Sequence, residues 1–192
     1  PMMNIINGGA HANNKLRIQE FMIRPDGAKN FSEAVRMCFL VIQCLKKIIS
    51  DKGMSISVGD EGGFAPMISS NEEALKLIVK SIEKAGFKNG KQISICLDVA
   101  ANELYKNKKY SIHSKKYINV EQTINKYLNL IKKFKIKSIE DPFFENDWLA
   151  WSRFNKAAKK VQIVGDDLYV TNLERLKKGF LYESSNSILI KL

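Results

Sequence analysis

The 192 residues are 45% hydrophobic and 27% charged, which is typical of a soluble globular protein with one well-packed core. Lys and Arg outnumber Asp and Glu by 31 to 20, and the formal charge of +11 is compatible with an anionic partner such as a phosphorylated metabolite. Much of this excess lies in short lysine runs typical of solvated helix faces or loops, and no nucleic-acid-binding motif is present, so we expect no nucleic-acid partner.

The cysteines and the apolar segments bear on cellular location. Cys38, Cys44 and Cys96 lie among apolar residues without a CxxC spacing, which predicts buried free thiols in a reducing compartment. No apolar run approaches the length of a membrane span, and the first residues do not resemble a signal peptide. We therefore expect a cytoplasmic protein. The chain begins at Pro1 and ends in what resembles the middle of a strand, so we expect both ends to be interruptions.

In chain order, the predicted elements begin with two short strands, at residues 3–6 and 20–23, joined by the Gly8-Gly9 turn and a polar stretch. A helix is predicted from the N-cap Ser32 to about residue 50, and another from the N-cap Asn71 to residue 85. Gly53 and Gly86 mark their ends. The lysine-rich segment 105–117 is predicted to be an exposed hairpin or loop.

From residue 93 onwards, short apolar runs alternate with helical segments. The predicted strands cover residues 93–99, 136–139, 162–164 and 187–190, and the predicted helices cover residues 120–133, 147–159 and 172–180. This alternation is typical of parallel strands joined by crossover helices, and it predicts an α/β fold with six strands in all. No linker, repeat or low-complexity segment indicates a second domain.

Charged residues follow several of these strands directly. Asp98, Glu140, Asp166 and Lys191 each come at the carboxyl end of a predicted strand. In a parallel α/β barrel the loops that bind ligands converge at that end, so three carboxylates would share a small volume. A divalent cation would relieve their repulsion, and an all-oxygen ligand set favours Mg²⁺ over Zn²⁺. Taken singly, each carboxylate has the alternative of a helix cap or a surface ion pair.

Seven segments resemble signature segments of the enolase family and occur in enolase order: MMNIINGGAHANN, IQEFMI, VGDEGGFAP, LDVAANELY, SIEDPF, VGDDLYVTN and NSILIK. The resemblance implies an α/β fold, an enolase-type TIM-like barrel with strand and helix order β-β-α-α-(β-α). A barrel of this kind has eight strands, so about six would be present and the barrel would be incomplete. Residues 1–192 would be part of the C-terminal catalytic barrel domain, without the N-terminal domain and the last barrel strands. We expect the isolated chain to be poorly stable and inactive.

The resemblance also implies an activity, the Mg²⁺-dependent dehydration of 2-phosphoglycerate to phosphoenolpyruvate in glycolysis, by a full-length homodimer. Asp98, Glu140 and Asp166 would bind the Mg²⁺ that holds the substrate carboxylate. Lys191 would contact the substrate and remove its C2 proton, with a pKa lowered by Mg²⁺ and partial burial. Asp167 would be a partner of Lys191 beside these ligands. The alternative for Lys191 is a lysine that extends from a strand end into solvent.

On the opposite side of the implied site, Glu61 and Glu20 would assist departure of the C3 hydroxyl. Glu20 and His11 would also contact the substrate, and His11 would lie on a mobile loop that closes over it. Glu61 precedes Gly62-Gly63, and two glycines would allow the backbone to approach a ligand closely. The alternatives are a carboxylate that supports a turn, for Glu61, and an ordinary loop histidine, for His11.

Three functional readings are open at this point. The first is an enolase; the second is an enolase-like binding or structural polypeptide without catalysis; the third is a relative that acts on another carboxylate. The intact motif residues favour the first reading over the second. The segment VGDEGGFAP and Glu20 favour it over the third, because both resemble enolase itself.

Overall fold

A computed structural model describes all 192 residues and contains one six-stranded sheet and one short hairpin. The strands are β1 (Met3–Asn7), β2 (Glu20–Arg24), β3 (Ser94–Asp98), β4 (Tyr105–Lys106), β5 (Lys109–Tyr110), β6 (Ile136–Glu140), β7 (Gln162–Gly165) and β8 (Ser187–Ile188). The sheet has the order β1-β2-β3-β6-β7-β8, and β4 pairs with β5 in the hairpin. All six predicted strands are therefore present, although β8 ends at Ile188, before the predicted residue 190.

The sheet is parallel in one half and antiparallel in the other. Strands β3, β6, β7 and β8 are parallel, as the alternation of strands and helices predicted. Strand β2, in contrast, runs antiparallel to both β1 and β3. A short connection without a crossover helix joins β1 to β2, and two helices in place of one separate β2 from β3. This arrangement gives the β-β-α-α-(β-α) order.

The helices are α1 (Phe31–Asp51), α2 (Asn71–Lys84), α3 (Val120–Phe134), α4 (Trp148–Ala157) and α5 (Leu173–Tyr182). The predicted N-caps of the first two helices are wrong. Asn30 caps α1 by accepting the Glu33 N–H at 2.8 Å, so Ser32 lies inside the first turn. Ser70 caps α2, because the side chain of Asn71 is buried and has other partners. Both caps satisfy backbone donors that would otherwise lack a partner.

The core is one continuous cluster of 42 buried residues between the sheet and the helices. The segment 105–117 contributes to it, which corrects the prediction of an exposed hairpin or loop. The hairpin forms, but Tyr110, Ser111 and Ile112 are buried. The Tyr110 hydroxyl donates to Asp147 at 2.8 Å, and the Ile112 carbonyl accepts from Asn71 at 2.7 Å. Tyr110 and Ile112 thus pack inward, while Tyr117 and the lysines of the segment are exposed.

The cysteines are free, as predicted; Cys38 and Cys96 are buried and Cys44 is half-buried. Burial raises the pKa of the Cys96 thiol to about 12. None of the five helices combines the length and the apolar character needed to cross a bilayer.

Candidate active site

The register of the sheet aligns residues from four strands at the same end of the sheet, where β3 and β6 end. Asn7 pairs with Glu20, which pairs with Asp98 on its other side. Asp98 in turn pairs with Glu140. Asp98 and Glu140 are the last residues of parallel strands, whereas Glu20 is the first residue of a strand that runs in the opposite direction. All three carboxylates therefore lie at the same end of the sheet. Ligands bind at this end of the sheet, the carboxyl end of the parallel strands, in α/β barrels.

A first carboxylate cluster contains Asp98, Glu140 and Asp141, whose ligand oxygens lie within 4.8 Å of one another. Burial, reinforced by the charge of Asp141, raises the pKa of Asp98 well above its usual range. Burial, reinforced by the charge of Asp98, raises the pKa of Glu140 to about 9. The protein's own cations therefore do not compensate these negative charges, and a divalent cation would stabilise the ionised forms.

A second cluster contains Asp141, Asp166 and Asp167, again within 4.8 Å. The structure thus distributes the three predicted metal ligands over two neighbouring clusters. Asp98 and Glu140 are in the first, Asp166 is in the second, and Asp141 belongs to both. Together the clusters form one continuous acidic site that extends across β3, β6 and β7.

Asp141 is a site residue that the sequence analysis missed. It is 3% exposed, and its carboxylate accepts the backbone N–H groups of Asp166 at 3.1 Å and Asp167 at 2.8 Å. Burial raises its pKa to about 7, although these two hydrogen bonds act in the opposite direction. The sequence signal is its position directly after Glu140. Strand alternation would place adjacent residues on opposite faces, so periodicity does not predict that Asp141 joins Glu140 in one site.

Lys191 lies just beyond β8, where its Nζ atom is 2.6 Å from Asp166 Oδ2. The hydrogen bond to Asp166 raises the pKa of Lys191, whose side chain is 67% exposed. The lowered pKa expected beside Mg²⁺ stays a prediction. Asp167, predicted to be a partner of Lys191, accepts a hydrogen bond from Asn102 at 3.1 Å, and its charge also contributes to the raised pKa of Lys191.

On the other side of the site, His11, Glu20 and Glu61 form a third cluster within 4.8 Å. His11 belongs to a short 3₁₀ turn after β1, and its Nδ1 atom lies 3.6 Å from Glu61 Oε1. Burial, reinforced by the charge of Glu61, raises the pKa of Glu20. The residues predicted to transfer protons and contact the substrate therefore form two groups. Lys191 lies beside the carboxylates at the end of β7, and His11, Glu20 and Glu61 lie together.

The loop that carries Glu61 is attached to β1 through Asn7. The Gly63 N–H donates to Asn7 Oδ1 at 2.8 Å, and a Cβ atom on Gly63 would lie 2.6 Å from that oxygen. Gly62 has a φ of +78°, which favours glycine. Gly63 thus allows the backbone to approach β1 closely, whereas the sequence analysis had expected the two glycines to allow approach to a ligand.

Two further side chains hold the loops after β3, β6 and β7 together. Asn102 accepts the Glu145 N–H at 2.9 Å and donates to Asp167. The Arg175 guanidinium donates to the carbonyls of Leu168 at 2.5 Å and Glu145 at 2.6 Å. Asn102 lies in the quoted segment LDVAANELY, which is the sequence signal for it, whereas Arg175 lies outside all seven segments.

Comparisons with known proteins agree with this geometry. The sequence profile of the family described as enolase, C-terminal TIM barrel domain, matches residues 1–192. The chain is 74% identical over 192 residues to the enolase of Pelagibacter ubique (strain HTCC1062), and it spans 46% of that relative's length. The match extends over all the segments that carry the acidic clusters and Lys191. The open six-stranded sheet is part of the C-terminal TIM barrel domain of that family. The chain therefore belongs to the enolase family.

Proposed function

We propose that the full-length protein dehydrates 2-phosphoglycerate to phosphoenolpyruvate in an Mg²⁺-dependent reaction of glycolysis. The observation that carries this proposal is that a candidate base and a candidate acid lie at the same end of the sheet. A lysine lies beside buried carboxylates on one side, and the cluster around Glu61 lies on the other. An elimination that removes a proton from one carbon and a hydroxide from the next needs a base for the proton and an acid for the leaving hydroxide.

The residues of the acidic site fit a magnesium ion. The donor groups are all carboxylates, which are the oxygen ligands that Mg²⁺ prefers. Burial and mutual repulsion raise the pKa values of Asp98 and Glu140, so a cation is needed for both to be ionised at neutral pH. Asp98, Glu140 and Asp166 would hold the ion. When bound, Mg²⁺ supplies Lewis-acid stabilisation of the negative charge that develops on the substrate carboxylate.

In the proposed reaction, the neutral amine of Lys191 takes the C2 proton of 2-phosphoglycerate. The C2–H electron pair forms the new C2=C3 double bond, and the C3 hydroxyl leaves as water with a proton from the Glu61 side of the site. Glu20 is suited to assist, because burial and the nearby charge of Glu61 favour its protonated form. His11, 3.6 Å from Glu61, would contact the substrate from the same side.

We also propose that residues 1–192 are one part of a larger catalytic barrel domain. The chain spans 46% of the length of its relative, and β1 and β8 are unpaired edges of the sheet. On α5, next to the β8 edge, Phe180 is 75% exposed and Leu181 is 81% exposed. Such apolar surface favours packing against further barrel elements. By its family membership we propose a cytoplasmic homodimer for the full-length protein.

The test is to express the full-length gene product and to measure phosphoenolpyruvate formation from 2-phosphoglycerate with and without Mg²⁺. We expect turnover that chelation of Mg²⁺ abolishes, and a decrease in kcat of about 10³-fold in Lys191→Ala. Lys191→Ala should still bind Mg²⁺, because Asp166 loses a competing cation. The absence of turnover in the wild-type protein would refute the proposed function and favour a non-catalytic polypeptide.

A further inference from the structure

We propose that Asp141 is a positioning residue that directs two consecutive carboxylates, Asp166 towards the metal and Asp167 towards Asn102. The inference rests on the proposed Mg²⁺-dependent function, and it assigns a role to a residue outside the predicted ligand set. Its basis is the pair of hydrogen bonds that the Asp141 carboxylate accepts from the backbone after β7.

The Asp141 carboxylate is held in place from several directions. Its own N–H donates to the Val164 carbonyl at 3.1 Å, and its carbonyl accepts from the Ala101 N–H at 3.1 Å. Its φ of +40° lies in the left-handed region, which turns the side chain away from the alternation of β6. Backbone hydrogen bonds to β7 and to the loop after β3 thus fix a conformation that a non-glycine residue adopts only at a cost.

The two hydrogen bonds determine the course of the chain after β7. Oδ1 accepts from the Asp166 N–H at 3.1 Å, and Oδ2 accepts from the Asp167 N–H at 2.8 Å. Two consecutive N–H groups that converge on one carboxylate cannot belong to an extended strand, in which they would point in opposite directions. The carboxylate therefore ends β7 and fixes the turn that carries both side chains.

The two side chains of this turn have different partners. Asp166 Oδ2 lies 2.6 Å from Lys191 Nζ, whereas Asp167 Oδ2 accepts from Asn102 at 3.1 Å. Because the Asp141 carboxylate accepts the N–H groups of the two residues that carry these side chains, we assign a positioning role to Asp141. Groups that orient metal ligands typically affect metal affinity strongly.

The test uses the full-length protein and Mg²⁺ alone, with affinity measured by isothermal titration calorimetry. In Asp141→Asn one acceptor becomes an NH₂ donor that faces a backbone N–H, and we expect Mg²⁺ affinity to fall by about 10-fold to 100-fold. In Asp141→Glu both oxygens and the charge remain, but an extra methylene displaces them. A similar loss in this variant would assign the effect to geometry and not to charge. This variant also carries the test if Asp141→Asn does not fold.

The matched control is Asp147→Asn. Asp147 caps α4 by accepting the Ala150 N–H, and it accepts the Tyr110 hydroxyl at 2.8 Å. We expect this variant to lower Tm and to leave the Kd for Mg²⁺ unchanged, as a purely structural role would. Wild-type Mg²⁺ affinity in the Asp141 variants, or an equal loss in Asp147→Asn, would overturn the inference. If the wild-type protein turns over but the Asp141 variants bind Mg²⁺ normally, only the inference fails; if the wild-type protein lacks turnover, the proposed function fails.

Discussion

The two sides of the site are built in different ways. Asp98 and Glu140 lie at the ends of neighbouring buried strands, so the sheet register brings them together. Glu61, with a 48% exposed side chain, lies on a loop whose position depends on Asn7. The carboxylates on the strands are destabilised by burial and repulsion, and they gain most from a cation. The carboxylate on the loop is accessible, as expected of a group that exchanges protons with substrate and solvent. Variants on the two sides should therefore have separable effects on metal binding and on proton transfer.

The largest expected effect is that of Glu140→Gln on the metal side. Loss of a ligand charge should lower kcat/KM by about 10⁴-fold, because Lewis-acid stabilisation contributes several kcal/mol. The same variant should raise the Tm of the metal-free protein, since it removes a buried group that repels Asp98. Steady-state kinetics and thermal unfolding in a chelator measure the two effects. An unchanged or lower metal-free Tm would contradict the electrostatic account of this side.

Glu61→Gln should have the second largest effect and a different signature. We expect kcat to fall by about 10² to 10³-fold, because a group proposed to donate a proton is replaced by an amide. The Kd for Mg²⁺ should be unchanged, since Glu61 belongs to the cluster with His11 and Glu20 and not to the acidic clusters. Calorimetry with Mg²⁺ alone checks this. A weaker Mg²⁺ affinity comparable with that of Glu140→Gln would show that the two sides are not separable.

Gly63→Ala tests whether the loop depends on β1. A Cβ atom would lie 2.6 Å from Asn7 Oδ1 and 2.9 Å from the Ile6 nitrogen, so the loop must move and carry Glu61 with it. We expect kcat to fall by about 10-fold, since a small misplacement of a reacting group is costly. The control is Gly53→Ala, at a φ of +70° and with open space around it, which introduces backbone strain without a contact to β1. A similar decrease in kcat in both variants would refute the dependence on β1.

The same difference between the two sides explains what sequence could predict. Asp98 and Glu140 each follow an apolar run directly, so the ends of buried strands could be located and their side chains brought together. Asp141 could not be assigned in this way, because its left-handed φ breaks the alternation of the strand. The dependence of Gly63 on Asn7 was equally hidden, since their contact joins residues 56 positions apart.

Helix ends show a related limit. Asn30 and Ser32 are both good N-cap residues, and only the extended backbone at Asn30 decides between them. The pairing of Lys191 with Asp166 was missed for a similar reason, because it depends on the turn after β7 and not on strand alternation. Strand positions and the α/β class were thus predictable from periodicity, while the contacts made by turns depended on tertiary structure.

A pH dependence of stability also distinguishes the metal side. The folded-state pKa of Glu140 is about 9 against an ordinary value of 4.5, and that of Asp141 is about 7. The folded protein therefore holds protons that the unfolded chain releases, and this stabilising contribution is complete below about pH 4.5 and is lost as pH rises towards 9. Glu72 and Glu73 have lowered pKa values, so their contribution to stability changes only below this pH window.

We expect the metal-free full-length protein to lose several kcal/mol of unfolding free energy between pH 5 and pH 9 through these groups. Saturating Mg²⁺ should reverse the trend, because it binds the ionised carboxylates and competes with protons at low pH. Urea unfolding across this pH range, with and without Mg²⁺, measures both slopes. Glu140→Gln should flatten the metal-free slope, whereas Glu61→Gln should leave most of it. A metal-free slope that is equal in all three proteins would locate the pH dependence outside the acidic clusters and remove the main physical difference between the two sides.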